Sequence, residues 1–151
     1  MVRDLRFLLM LVTVWGVLGL AGLLRPHSIR FVARLLFPLG ALVCFGVAVL
    51  AGIFLATGQG PEVLVLPLGL PDLPFHIRLD ALSGFFLLLL GLAGTGISTF
   101  AAGYFRSGEG TAPALLGLQY HIFLASMAVV ILADDAYLFI CLLYTSLNGV
   151  A

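Results

Sequence analysis

The sequence predicts an all-α integral membrane helical bundle: four full transmembrane helices plus a partial fifth, with an external β-hairpin between the second and third. Three observations carry that expectation. Hydrophobic residues make up 62% of the 151 residues and charged residues only 9%, with a mean hydropathy of +1.22. A soluble domain carries about 25% charged residues, so lipid must solvate most of this surface. Four apolar runs are each long enough to cross a hydrocarbon layer of about 30 Å, which takes about 20 residues of helix. Between the second and third runs, the pattern changes to proline-punctuated alternation.

The first span is expected over residues 7–24. Arg3 and Arg6 precede it as in a signal peptide. Its apolar stretch, however, exceeds the usual 7–15 or so residues of such a segment, and no small-residue cleavage site follows. The chain runs directly into Arg25, Pro26 and His27, which favours a retained helix. The second span covers 35–56, with Ala48, Gly52 and Ala56 at small-xxx-small spacing. The third covers 81–104, with Gly91, Gly94, Thr95 and Ser98 along a small-residue face. The fourth covers 114–132. A fifth run, 136–147, is too short to span fully. All 151 residues read as one membrane domain.

In the connection between the second and third spans, Pro61, Pro67, Pro71 and Pro74 exclude helix. The β-prone run 62–66 is followed by Phe75, Ile77 and Leu79 alternating with His76, Arg78 and Asp80. That period of two is the mark of a half-buried strand. The expectation is a hairpin at the outer membrane surface, turning through Gly69, Pro71 and Asp72. Arginine placement sets the orientation. Arg25, Arg30, Arg34 and Arg106 lie on one side and Arg3, Arg6 and Arg78 on the other, which favours an external N-terminus.

All seven cations are arginine and the net charge is zero, so no basic patch points to nucleic acid. Cys44 and Cys141 lie singly in apolar runs and read as small buried hydrophobes, with neither metal nor disulfide spacing. There is no dinucleotide fingerprint, phosphate loop, zinc-protease motif or nucleophile elbow. An enzyme acting by itself is therefore not expected.

Polar groups inside apolar spans are costly, and so they are the informative ones. His121 lies within the fourth span; it is either a proton-path station or a histidine hydrogen-bonded to a neighbouring helix. Asp134 and Asp135 separate the fourth and fifth runs, as helix-capping acids or as an acidic mouth that collects protons. Ser126, like Ser83, Thr95, Ser98 and Thr99, can bond back to its own helix. Arg78 and Asp80 are placed as interfacial anchors, with the option of pairing. The proton-path candidates are thus His121, Ser126, Asp134 and Asp135.

The run Phe-Leu-Ala-Ser-Met-Ala-Val-Val-Ile-Leu-Ala-Asp-Asp at 123–135 resembles the fourth-helix signature of the antiporter-like, proton-translocating membrane subunits. These belong to respiratory complex I, Mrp-type cation/proton antiporters and group 4 membrane hydrogenases. Phe-His-Ile-Arg-Leu-Asp-Ala-Leu-Ser-Gly-Phe-Phe at 75–86 resembles the hairpin and third-helix entry of the same family, and Tyr104, Phe105 and Arg106 resemble that helix's end. The flavour is that of the branch containing hydrogenase-4 component B and formate hydrogenlyase subunit 3. The resemblance covers roughly 73–140.

The resemblance implies a proton-translocating subunit of a membrane-bound hydrogenase or an NADH–quinone oxidoreductase-like complex, in a bacterial or archaeal inner membrane. Its partners would be the bilayer and the other membrane and peripheral subunits. No cofactor is expected in this chain, and Fe–S, NiFe or flavin groups would sit on those partners. The family's pump residues are a Glu in the fifth helix and a Lys in the seventh. Here Leu143 and Tyr144 stand where Trp-Glu would be expected, and no Lys is present. The chain therefore reads as an N-terminal fragment, with 141–151 as a non-native or misassembled tail. The alternative is a small structural or assembly membrane protein without transport activity.

Overall fold

In lipid, backbone N–H and C=O groups find no water, so an apolar run satisfies them internally by coiling into helix. The computed structural model describes residues 3–22, 32–70, 73–105, 113–134 and Tyr144. The apolar runs form α1 (Arg3–Gly22), α2 (Phe37–Thr57), α3 (Ala81–Tyr104) and α4 (Pro113–Leu132). A π-helical turn, Val32–Leu36, leads into α2. Among the described residues, four helices are long and apolar enough to cross a membrane. The expected fifth run lies outside the described residues, apart from Tyr144.

Local chemistry fixes the helix ends. Pro38 lies in the first turn of α2, where its missing N–H is not needed. Gly58 ends α2 at φ 58°, a left-handed conformation that only glycine adopts at no steric cost. At α3, the Ser83 amide donates to Asp80 Oδ1 (2.8 Å) and the Asp80 amide donates to Ser83 Oγ (2.7 Å). This reciprocal capping box satisfies two amides that a bare helix start would leave without partners.

Between α2 and α3 lie β1 (Glu62–Leu70) and β2 (Leu73–Leu79), an antiparallel pair. The register runs from Glu62 opposite Leu79 to Leu66 opposite Phe75, then shifts before Gly69 pairs with Pro74. The shift brackets Pro67, which cannot donate to a ladder. Of the expected turn residues, Gly69 belongs to β1, while Pro71 and Asp72 lie outside the described residues. On β2, Ile77 and Leu79 are buried and Arg78 is exposed, as the alternation requires. β1 departs from that pattern: Glu62 is buried while Val63 and Val65 are exposed. Glu62 Oε2 accepts the Leu5 amide at 2.9 Å, so a carboxylate from the hairpin caps the first turn of α1.

One buried cluster runs down the bundle through Leu8 and Trp15 of α1, Cys44 and Phe54 of α2, Leu87 of α3, and Leu124 and Leu132 of α4. Ile77 and Leu79 close it at the hairpin end. A second cluster joins Val32, Leu36, Phe37 and Phe105 at the opposite end, with the Phe37 and Phe105 rings stacked at 5.4 Å. α2 and α3 share the most extensive contact. There Gly91 meets the α2 backbone at Cys44 and Ala48. Of the small residues expected to form the α2 face, Ala48 is buried, Gly52 is half-buried and Ala56 is exposed. The outer surface carries large apolar side chains such as Leu42 (66% exposed), Leu82 (65%) and Phe100 (74%), which suits hydrocarbon rather than water.

Candidate functional site

His121 sits on α4 and is completely buried. Two glycines make room for it. A side chain at Gly40 of α2 would place its Cβ 2.5 Å from His121 Nε2, and one at Gly19 of α1 would come within 3.3 Å of His121 Cβ. Aromatic rings enclose the imidazole further, with Phe37 at 6.0 Å and Tyr120 edge-on at 5.3 Å.

The Nδ1 atom lies 2.7 Å from the Gly117 carbonyl, one turn earlier in α4. A carbonyl can only accept, so the proton of the neutral ring is assigned to Nδ1. Nε2 is left as a buried acceptor with no hydrogen-bond partner among the described residues. An unsatisfied buried acceptor costs about 1–3 kcal/mol. Chemically, this lone pair can take up a proton inside the bundle.

A polar thread lies beside the histidine. Tyr120 Oη donates to the Gly94 carbonyl at 3.1 Å, and Ser98 Oγ lies 2.9 Å from Tyr120 Oη. With the phenolic proton on Gly94, Ser98 donates to Tyr120. Cys44 borders the thread: its sulfur would lie 2.8 Å from a Cβ at Gly94. The Trp15 indole nitrogen is buried beside Cys44 and has no hydrogen-bond partner among the described residues. The bundle interior thus carries His121, Tyr120, Ser98 and Cys44 on three helices.

The other residues singled out in the sequence do not join this cluster. Ser126 Oγ donates to the Phe123 carbonyl at 2.9 Å within its own helix. Thr95 bonds back to Gly91 and Thr99 to Thr95 in the same way. Ser98 behaves differently: it crosses from α3 to α4. Asp134 lies at the far end of α4, separated from His121 by roughly 20 Å at 1.5 Å per residue. There it faces Arg78 at 3.8 Å, and Arg78 also faces Asp80 at 3.8 Å. Hydrogen bonds from Ser83, chiefly its backbone amide, and the nearby Arg78 charge hold the Asp80 carboxyl below the usual carboxylate pKa. Asp135 lies outside the described residues.

Sequence reasoning missed Tyr120, Glu62 and the Gly19–Gly40 slot. Tyr120 directly precedes His121, but a tyrosine in an apolar helix carries no mark of where its hydroxyl will point. Glu62 could have been noticed as the one acid in an otherwise apolar strand run.

No family model matches the chain. The chain is similar to hydrogenase-4 component B of Escherichia coli (strain K12), with 36% identity over 66 residues. That match covers 44% of this chain and 10% of that protein, so the chain corresponds to a small part of the relative's length. The likeness supports the antiporter-like resemblance at the level of the family.

Proposed function

We infer that the chain is the N-terminal part of a proton-translocating subunit in a membrane-bound hydrogenase-type complex, and that His121 is a station on its proton path. The observation that carries the reading is the fully buried imidazole in the middle of an apolar helix, its Nε2 unpartnered among the described residues. An ionisable group at such a depth is a functional candidate because its burial is costly. The likeness to hydrogenase-4 component B supports the choice of complex.

In this reading the hairpin and Asp134 face the outside, the N-terminus is external, and the membrane is the inner membrane of a prokaryote. Arg78 and Asp80 anchor α3 at the interface. Ser126, Asp134 and Asp135 serve the outer part of the path. Electron-transfer groups belong to the partner subunits.

The test uses the intact complex in inverted membrane vesicles, with proton uptake followed by a pH-gradient dye. His121→Gln and His121→Ala are expected to lower substrate-driven uptake at least tenfold, with assembly on native gels unchanged. Full uptake in both variants would overturn the assignment.

A further inference from the structure

At the hairpin end of the bundle, a cavity of about 390 Å³ opens between β2, the start of α3 and the end of α4. Its rim carries Arg78, Asp80 and Asp134, and its wall carries Leu82, Phe86 and Ile131. The apolar windows of α3 and α4 begin at Ala81 and end at Leu132 respectively. The charged rim therefore lies at the level where hydrocarbon gives way to headgroups, with the apolar wall on the hydrocarbon side.

The rim charges are not saturated by one another. Both Arg78–carboxylate distances are 3.8 Å, beyond direct hydrogen bonding, and the three side chains are 37–44% exposed. Asp80 uses Oδ1 for the Ser83 cap, and Oδ2 faces Arg78. Among the described residues, one guanidinium and two carboxylates give the rim a net charge of −1.

We propose that this cavity binds a phospholipid with a primary-amine headgroup, a phosphatidylethanolamine. The phosphodiester accepts from the Arg78 guanidinium. The ammonium donates to Asp134 and to Asp80 Oδ2, and an acyl chain lies along Leu82 and Phe86, which are 65% and 47% exposed. A choline headgroup has no N–H to give the carboxylates. A glycerol headgroup leaves the lipid anionic against a rim that is already negative.

The proposal rests on α3 and α4 crossing the bilayer. Recovery of the chain in the soluble fraction without detergent would overturn that reading, and the lipid site with it, whereas headgroup indifference of a membrane-extracted chain overturns the lipid site alone.

The full chain is extracted into nanodiscs holding equal parts of ethanolamine, choline and glycerol phospholipids with the same acyl chains, then released for native mass spectrometry. Ethanolamine lipid is expected to be retained roughly fivefold over each of the others, the preference set by about one well-placed charge pair. Arg78→Gln and Asp134→Asn are expected to bring that ratio close to one. A second series needs no variant: stepwise N-methylation of the ethanolamine is expected to lower retention stepwise as N–H donors are lost. Equal retention of the three headgroups, a preference for the anionic lipid, no retained lipid, or a ratio unchanged in both variants would each overturn the proposal.

Discussion

Replacing Gly91 with alanine tests whether α2 and α3 are held backbone to backbone. A Cβ at position 91 would lie 2.7 Å from the Ala48 nitrogen, 2.7 Å from the Cys44 carbonyl oxygen and 2.9 Å from Ala48 Cβ. Ordinary contact begins near 3.4 Å, so the two helices must part by about 0.7 Å at this point. Two of the three atoms belong to the main chain of α2, and no change of rotamer relieves them. Overfilling a packed interior costs about 1–3 kcal/mol, and backbone contacts put this case at the upper end. The better helix propensity of alanine offsets at most about 1 kcal/mol. We therefore expect Gly91→Ala to lose about 2 kcal/mol of stability. Gly96, on the same helix, has nothing within 4 Å, so Gly96→Ala carries only the propensity gain. Trp15 is the sole tryptophan and is fully buried, and its emission during unfolding in detergent reads both variants. A Gly91→Ala midpoint at or above wild type, or an equal loss in Gly96→Ala, would refute the close-approach reasoning.

Two further outcomes follow from the hairpin end of the bundle. Glu62→Ala leaves the Leu5 amide without its acceptor and is expected to cost about 1–3 kcal/mol; Glu62→Gln keeps a carbonyl oxygen and should lose less than half as much. Hydrogen exchange at Leu5, faster in Glu62→Ala than in Glu62→Gln, checks the mechanism directly. The Asp80 carboxyl titrates below its usual 3.8 in the folded chain, so its contribution is complete above about pH 4 and is lost as pH falls below that value. Asn caps helices as well as Asp does, so Asp80→Asn should leave stability near neutral pH almost unchanged and flatten its decline in acid. An identical acid profile for the two chains would count against the cap as the source.

The helices were legible because lipid makes hydropathy and length nearly sufficient. The third span at 81–104 coincides with α3, and the fourth at 114–132 differs from α4 by one residue at its start. The first differs more: α1 begins at Arg3, since the end carrying Asp4 is stabilised from outside the helix by Glu62. The hairpin was legible from the alternation of Ile77, Arg78 and Leu79, yet that same rule assigned Glu62 no inward role. Its burial depends on a partner 57 residues away, and no local pattern carries that information. His121 was visible as an ionisable residue in an apolar run. Its neighbours were not: the bond between Ser98 and Tyr120 and the slot at Gly40 arise only when three helices meet. Asp134 looked like a companion of His121 in the sequence, and helix rise places it at the other end of α4.

The chain leaving α4 is tied to the hairpin through main-chain atoms. Ala133 bridges Ile77, and the Asp134 amide donates to the His76 carbonyl at 3.1 Å. Because these bonds involve no side chain, substitutions at the charged rim change its electrostatics without releasing the joint. The joint between β2 and the end of α4 is therefore a property of the backbone, and it persists whichever charges stand on the rim.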